Sequence, residues 1–146
     1  MQPTSSSSET FAPLAGVRVL SLALNLPGPA ALLRCHAMGA TCTKLEPPSG
    51  DPMAHYNRTA YAALHEGVTV SVADLKTEAG QQHLHDALAS TDVLLTSFRP
   101  SALVKLGLDW DALRARHPRL SQVAIVGAPG DRAEGGSLMV VARKSA

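Results

Sequence analysis

A chain of 146 residues that is 45% hydrophobic and 17% charged can build one domain with a real core. Its net charge of +1 supplies no general field for nucleic acid or an anionic membrane, and 3% aromatics argue against base-stacking platforms. No apolar run approaches the roughly 20 residues that a membrane helix needs.

Residues 1–12 read as a disordered leader. The first ten, MQPTSSSSET, are polar and serine-rich and lack the basic start and apolar centre of a signal peptide. The chain is therefore expected to be cytoplasmic. Val17, Val19, Leu20, Leu22 and Leu24 form an almost unbroken apolar run, the mark of a strand buried on both faces. Residues 25–29, NLPGP, turn the chain sharply. Residues 30–38 suit a helix that Gly39 ends, and residues 41–46 form a second strand. This is one βαβ unit.

Residues 51–66 read as a long irregular connection. It holds His55, Tyr56, Asn57, Arg58, Tyr61 and His65. Val68, Val70 and Val72 then alternate with polar or small residues, which predicts a strand with one buried face. Residues 74–90 read as a helix capped by Thr77, with Glu78 in its first turn. A short strand over 92–96, a turn over 97–100 and a helical turn over 101–106 follow. A helix over 109–116 has Asp109 as its cap, and a strand spans 122–126. Strands alternating with helices predict an α/β fold, a Rossmann-like parallel sheet with helices on both faces. Residues 128–146 change character, and a further strand over 138–142 is the one element offered there.

In such a sheet, ligands sit beyond the carboxyl ends of the strands. Three turns qualify, at 25–29, 96–99 and 127–130. The first leads into a helix whose N–H groups could hold an anion; the alternative is a turn that only connects. The second carries Phe98 and Arg99, followed by Lys105. An aromatic face suits adenine and a cation suits phosphate; the alternative is a core phenylalanine and a solvated arginine. Cys35 and Cys42 have no CxxC partner, so a metal is not expected and both read as small buried residues. His36, His55, His65 and His117 are scattered and read as solvated surface imidazoles, the alternative being a pH-tuned or catalytic histidine in the long loop; His83 and His85, two apart on a helix, share no face. No GxGxxG or GxxxxGK[ST] follows any strand, which weakens a generic nucleotide binder.

Two blocks resemble a known family. PLAGVRVL, a GP before a helix and MGATCTKLEPPSGDP form the first. DLKT, TDV, SFRP, LGL and HPRL form the second. Over residues 13–127 the chain is similar to the family III CoA-transferases of the CaiB/BaiF type. That group includes formyl-CoA transferase, carnitine CoA-transferase and α-methylacyl-CoA racemase. The resemblance implies a domain over 13–127 that binds coenzyme A through Asn25, Leu26, Gly28, Phe98, Arg99 and Lys105. It implies transfer of CoA between an acyl-CoA and a carboxylic acid, with no metal, by a homodimer or with a partner chain.

The departures are specific. Residues 64–69 lack the basic residues the family uses on CoA phosphates, and Glu66 there repels phosphate. The family's aspartate nucleophile follows the strand matching 122–126. Here that region holds Asp131 and Glu134 and then GGSLMVVARKSA, so the nucleophile is not assigned. The chain reads as an N-terminal piece: a truncated product, a split subunit or a remnant. The alternatives are an inactive CoA-binding remnant and a 2-methylacyl-CoA racemase, for which no residue pair can be matched.

Overall fold

The computed structural model describes residues 10–127 and 139–144. Residues 1–9 of the expected leader, residues 128–130 of the third candidate turn, and Asp131 and Glu134 lie outside them.

The sheet is built as the apolar runs require. β1 (Arg18–Ser21), β2 (Thr41–Glu46), β3 (Thr69–Val72), β4 (Val93–Thr96) and β5 (Ser121–Val126) are mutually parallel. β6 (Met139–Arg143) pairs antiparallel with β5, so a sheet expected to be parallel ends in an opposed strand. The spatial order is β3-β2-β1-β4-β5-β6. The order reverses between β1 and β4, where doubly wound sheets open a crevice. The register is continuous there, with Leu20 between Thr43 of β2 and Leu94 of β4.

Alternation along the strands divides the core in two. Leu20 and Leu22 pack on one face with Leu45, Leu94 and the helices α4 (Glu78–Leu88), α5 (Pro100–Lys105) and α6 (Trp110–Arg116). Val19 and Ala23 pack on the other with Cys42, Leu95 and Leu32 of α1 (Pro27–Ala37). Helices therefore cover both faces. The expected caps form: the Gly80 N–H donates to Thr77 Oγ1 at 3.0 Å, and the Ala112 N–H to Asp109 Oδ2 at 3.4 Å. Gly39 ends α1 at φ +99°, a left-handed geometry that suits glycine. Cys42 is buried and Cys35 half-buried. Burial pushes the Cys42 thiol up to about 11, with a smaller push from Cys35.

Two expectations about the 51–72 stretch need correction. Residues 51–66 are not irregular: α2 (Met53–Tyr56) and α3 (Arg58–Leu64) occupy them. Asn57 caps α3 by accepting the Ala60 N–H at 3.1 Å. α3 buries none of its residues, so no apolar stripe announced it. β3 does not bury one face either. All four of its residues are exposed, because it is the edge strand and hydrogen-bonds only to β2.

The histidines are not all surface groups. His36, His55 and His83 are exposed, but His65 and His85 are buried. His85 Nδ1 lies 2.8 Å from His117 Nε2, and the two rings stack. Such a bond needs one ring to donate and the other to accept. Desolvation holds both imidazoles below their ordinary pKa. The Arg116 cation adds to this, and at His85 the His117 ring adds while Asp86 opposes. The unfolded chain therefore binds protons more readily. The contribution is complete above the ordinary histidine pKa and is lost as pH falls through the lowered folded value. The urea midpoint should begin to drop as pH falls below about 6.5, the ordinary histidine value, and His85→Gln should flatten that part of the profile.

Candidate functional site

The carboxyl ends of β1 and β4 are tied together. The Leu24 N–H donates to Ser97 Oγ at 3.2 Å, and the Leu22 N–H to the Leu95 carbonyl at 2.8 Å. The turn at 25–29 and the turn at 96–99 thus flank the same end of the sheet, at the reversal of strand order. Beside them lies a cavity of about 170 Å³ on the α4–α6 side. Leu45, Glu46, Leu75, Lys76, Phe98 and Leu106 are among its walls. The lining is mainly apolar, and Lys76 is the one cation in it.

Of the six residues expected to bind coenzyme A, Phe98 lines this cavity and the other five do not. Arg99 is exposed as the N-cap of α5, and Lys105 is exposed at that helix's last turn. Leu26, 55% exposed, is the N-cap of α1 and makes no side-chain cap bond. Gly28 is buried. A Cβ there would meet the Ala23 Cβ at 2.1 Å, so this glycine lets α1 start against β1. The N-terminus of α1 is also poorer in donors than expected. Pro27 and Pro29 have no N–H, and the Ala30 N–H already donates to the Leu26 carbonyl at 3.0 Å. Only Gly28 in that first turn keeps an N–H outside this bonding, which leaves little to hold an anion.

Asn25 stands at φ +63°, a left-handed conformation that asparagine tolerates better than most residues. Its N–H donates to both oxygens of Asp51, at 3.0 and 3.2 Å. Its side-chain oxygen accepts from the Tyr56 hydroxyl at 3.2 Å. Asp51 also accepts the Met53 N–H at 2.9 Å.

Behind Asp51 lies a group the sequence reading missed. Lys44 on β2 is fully buried. Its ammonium reaches Asp51 Oδ2 at 2.5 Å, Glu46 Oε1 at 3.1 Å and His65 Nε2 at 2.9 Å. An ammonium can only donate and the Tyr61 carbonyl can only accept. His65 Nδ1, 2.6 Å from that carbonyl, therefore carries the ring proton and Nε2 accepts from Lys44. The Tyr61 hydroxyl donates to Glu46 Oε1 at 2.7 Å. Desolvation, that bond and the nearby Glu46 and Asp51 charges push the Tyr61 phenol well above its usual pKa. Desolvation raises the Asp51 carboxyl. The Lys44 bond, the Met53 and Asn25 N–H groups and the Lys44 charge together outweigh it, so Asp51 ends below the ordinary carboxylate range. Glu46, Asp51 and His65 bring ligand-type atoms within 4.8 Å of one another, an arrangement that could hold a metal. The Lys44 ammonium already bonds to all three and supplies the cation there.

The sequence matches the model of CoA-transferase family III over residues 14–135. The chain belongs to CoA-transferase family III. A cinnamoyl-CoA:phenyllactate CoA-transferase from Clostridium sporogenes is 36% identical over 123 residues, which cover 77% of this chain and 30% of that enzyme. A succinate–glutarate CoA-transferase from Agrobacterium fabrum is 34% identical over 129 residues, covering 79% of this chain and 32% of the relative. A CaiB/BaiF family crystal structure from Brucella suis superposes with a TM-score of 0.76 at 30% identity, over 86% of this chain and 37% of that one. This family III chain therefore spans about a third of the length of these relatives. Among its described residues, no helix is long and apolar enough to cross a membrane.

Proposed function

We propose that these residues form the coenzyme A-binding part of an enzyme that moves CoA between an acyl-CoA and a carboxylic acid. The observation that carries this reading is the strand-tip arrangement. Two turns bonded through Leu24 and Ser97 border a mainly apolar cavity walled by Phe98 and Lys76. The adenine ring would lie in the cavity against Phe98, where the ring face and the leucines exclude water. Lys76 in the wall and Arg99 and Lys105 outside it would meet the phosphates. The pantetheine arm would cross the strand tips toward Asn25 and Leu26. Gly28 keeps a supporting role, holding α1 close to β1. No described residue is assigned the nucleophilic carboxylate, and a further polypeptide would complete the site, as the roughly one-third coverage of the relatives suggests.

A competing reading, a retained CoA-binding fold without transfer chemistry, draws on the donor-poor α1 terminus and on the absence of Lys or Arg from residues 64–69. Both readings require CoA binding, and transfer activity separates them. Calorimetric titration with CoA should show saturable binding. Phe98→Ala should weaken it by about tenfold or more, as loss of a base-stacking aromatic does. Arg99→Ala should weaken it less and reduce its salt dependence. Absence of binding at millimolar CoA, or an unchanged Kd in Phe98→Ala, would remove the assignment.

A further inference from the structure

The buried lysine on β2 contributes to the site without touching it. Three donors converge on the Asp51 carboxylate: the Asn25 N–H, the Met53 N–H and the Lys44 ammonium. A carboxylate offers acceptors only, so it can serve all three. Two of those donors belong to segments that frame the strand tips, the 25–29 turn and the start of α2. Asn25 is the one non-glycine residue at positive φ among the described residues. Its left-handed backbone carries a conformational cost, and the surrounding structure must hold it there. The bifurcated bond to Asp51 and the Tyr56 hydroxyl on the side chain are the two restraints on it. Asp51 is fully buried, and without Lys44 its charge would be uncompensated. Glu46 and His65 complete the shell, so the Lys44 charge is spent inside the protein and is not free for a phosphate.

We infer that Lys44 and Asp51 are positioning residues: the buried ion pair locks the Asn25 turn in its left-handed geometry and so presets the strand tips for the coenzyme A thiol arm. The inference rests on the coenzyme A reading above. It assigns Lys44, Asp51 and, through the bond to Lys44, His65 a role that acts through Asn25. Tyr56 occupies the Asn25 side-chain oxygen, so the amide nitrogen is the side-chain group that would donate to a ligand.

The test uses Asp51→Asn on the full chain. The substituted side chain is the same size, but its NH2 group must face either the lysine ammonium or a backbone N–H, so one donor loses its acceptor. Hydrogen exchange followed by NMR should show the Asn25 and Met53 amides exchanging about tenfold or more faster, while Leu20 and Leu94 stay protected. The Kd for CoA should rise by about tenfold in the same variant. A uniform loss of protection, with Asn25 no more affected than Leu94, would mean a merely structural role and overturn the inference. So would an unchanged Kd.

Should the variant not fold, the wild type still decides. In native-state hydrogen exchange its Asn25 and Met53 amides should show the same protection, because one carboxylate holds both. An Asn25 amide that exchanges as fast as an open loop amide, or far faster than Met53, would overturn the lock. Should the wild type fail to bind CoA, the coenzyme reading falls, while the exchange data still judge the Asp51 lock on its own.

Discussion

Replacing Lys44 with methionine should cost about 3–5 kcal/mol, the usual penalty for removing one partner of a buried ion pair. Two carboxylates would remain in the interior. Asp51 is fully buried and Glu46 nearly so. The lost attraction matters less than the desolvated charge left behind. Against a typical total stability of about 5–15 kcal/mol, this is the difference between a folded and a marginal protein. The effect should also depend on pH in a defined sense. In the wild type the Asp51 carboxyl is held below its ordinary range, so its contribution is present above that range and is lost as acid protonates it. In Lys44→Met the lysine's bond and charge are gone and only the Met53 and Asn25 N–H groups still oppose desolvation, so the Asp51 carboxyl moves up relative to the wild type. The variant's deficit should therefore shrink as pH falls. Urea midpoints of both proteins across an acid series measure this, and a deficit that widens on acidification would contradict it. Lys44→Met/Asp51→Asn should recover part of the loss, since the two residues share one interaction.

Leu94→Ala should cost about 2–5 kcal/mol. Leu94 is completely buried at the centre of the sheet, between Leu20 of β1 and Gln122 of β5. It belongs to the cluster that joins the strands to α4, α5 and α6. Strands paired on both sides cannot move in to fill the space, so most of the cavity would persist. The urea midpoint should fall with little change in slope. Val104→Ala is the comparison. Val104 is 62% exposed on α5, and its truncation should stay within about 0.5 kcal/mol. Similar losses at both positions would mean that the sheet centre is not the core described above.

The sheet could be read from the sequence because its strands are apolar runs punctuated by turns. The βαβ opening was visible in Val17 to Leu24, NLPGP and Gly39, and the caps in Thr77 and Asp109. The helix α1 begins earlier than its alanine-rich body suggested, because Pro27 is pre-set for a first helical position. α2 and α3 were hidden, being short and with little apolar periodicity, and only α3 has a side-chain cap, from Asn57. Edge position was equally unreadable. Val70 and Val72 alternate as a half-buried strand would, yet burial depends on what lies over them and not on their own pattern.

The site was legible by its place in the fold more than by its residues. Phe98 was singled out because an aromatic beside cations on a strand-tip turn is distinctive, and it lines the cavity there. Lys76 was passed over as part of a helix start. Lys44, Asp51 and His65 come from three separate elements, and only folding brings them together. One signal was present: Lys44 and Glu46 alternate within a strand otherwise suited to burial, and a charge there demands a partner.

The antiparallel course of β6 decides how the molecule can be handled. Its last residue, Arg143, pairs with Gln122 near the start of β5, at the pole remote from the cavity. Ala12 lies at the same pole, packed beneath Gly39 just ahead of β2. A tether attached through the exposed Lys144 would therefore anchor the domain by its base, with the strand tips facing outward to sample whatever ligand flows past a sensor surface.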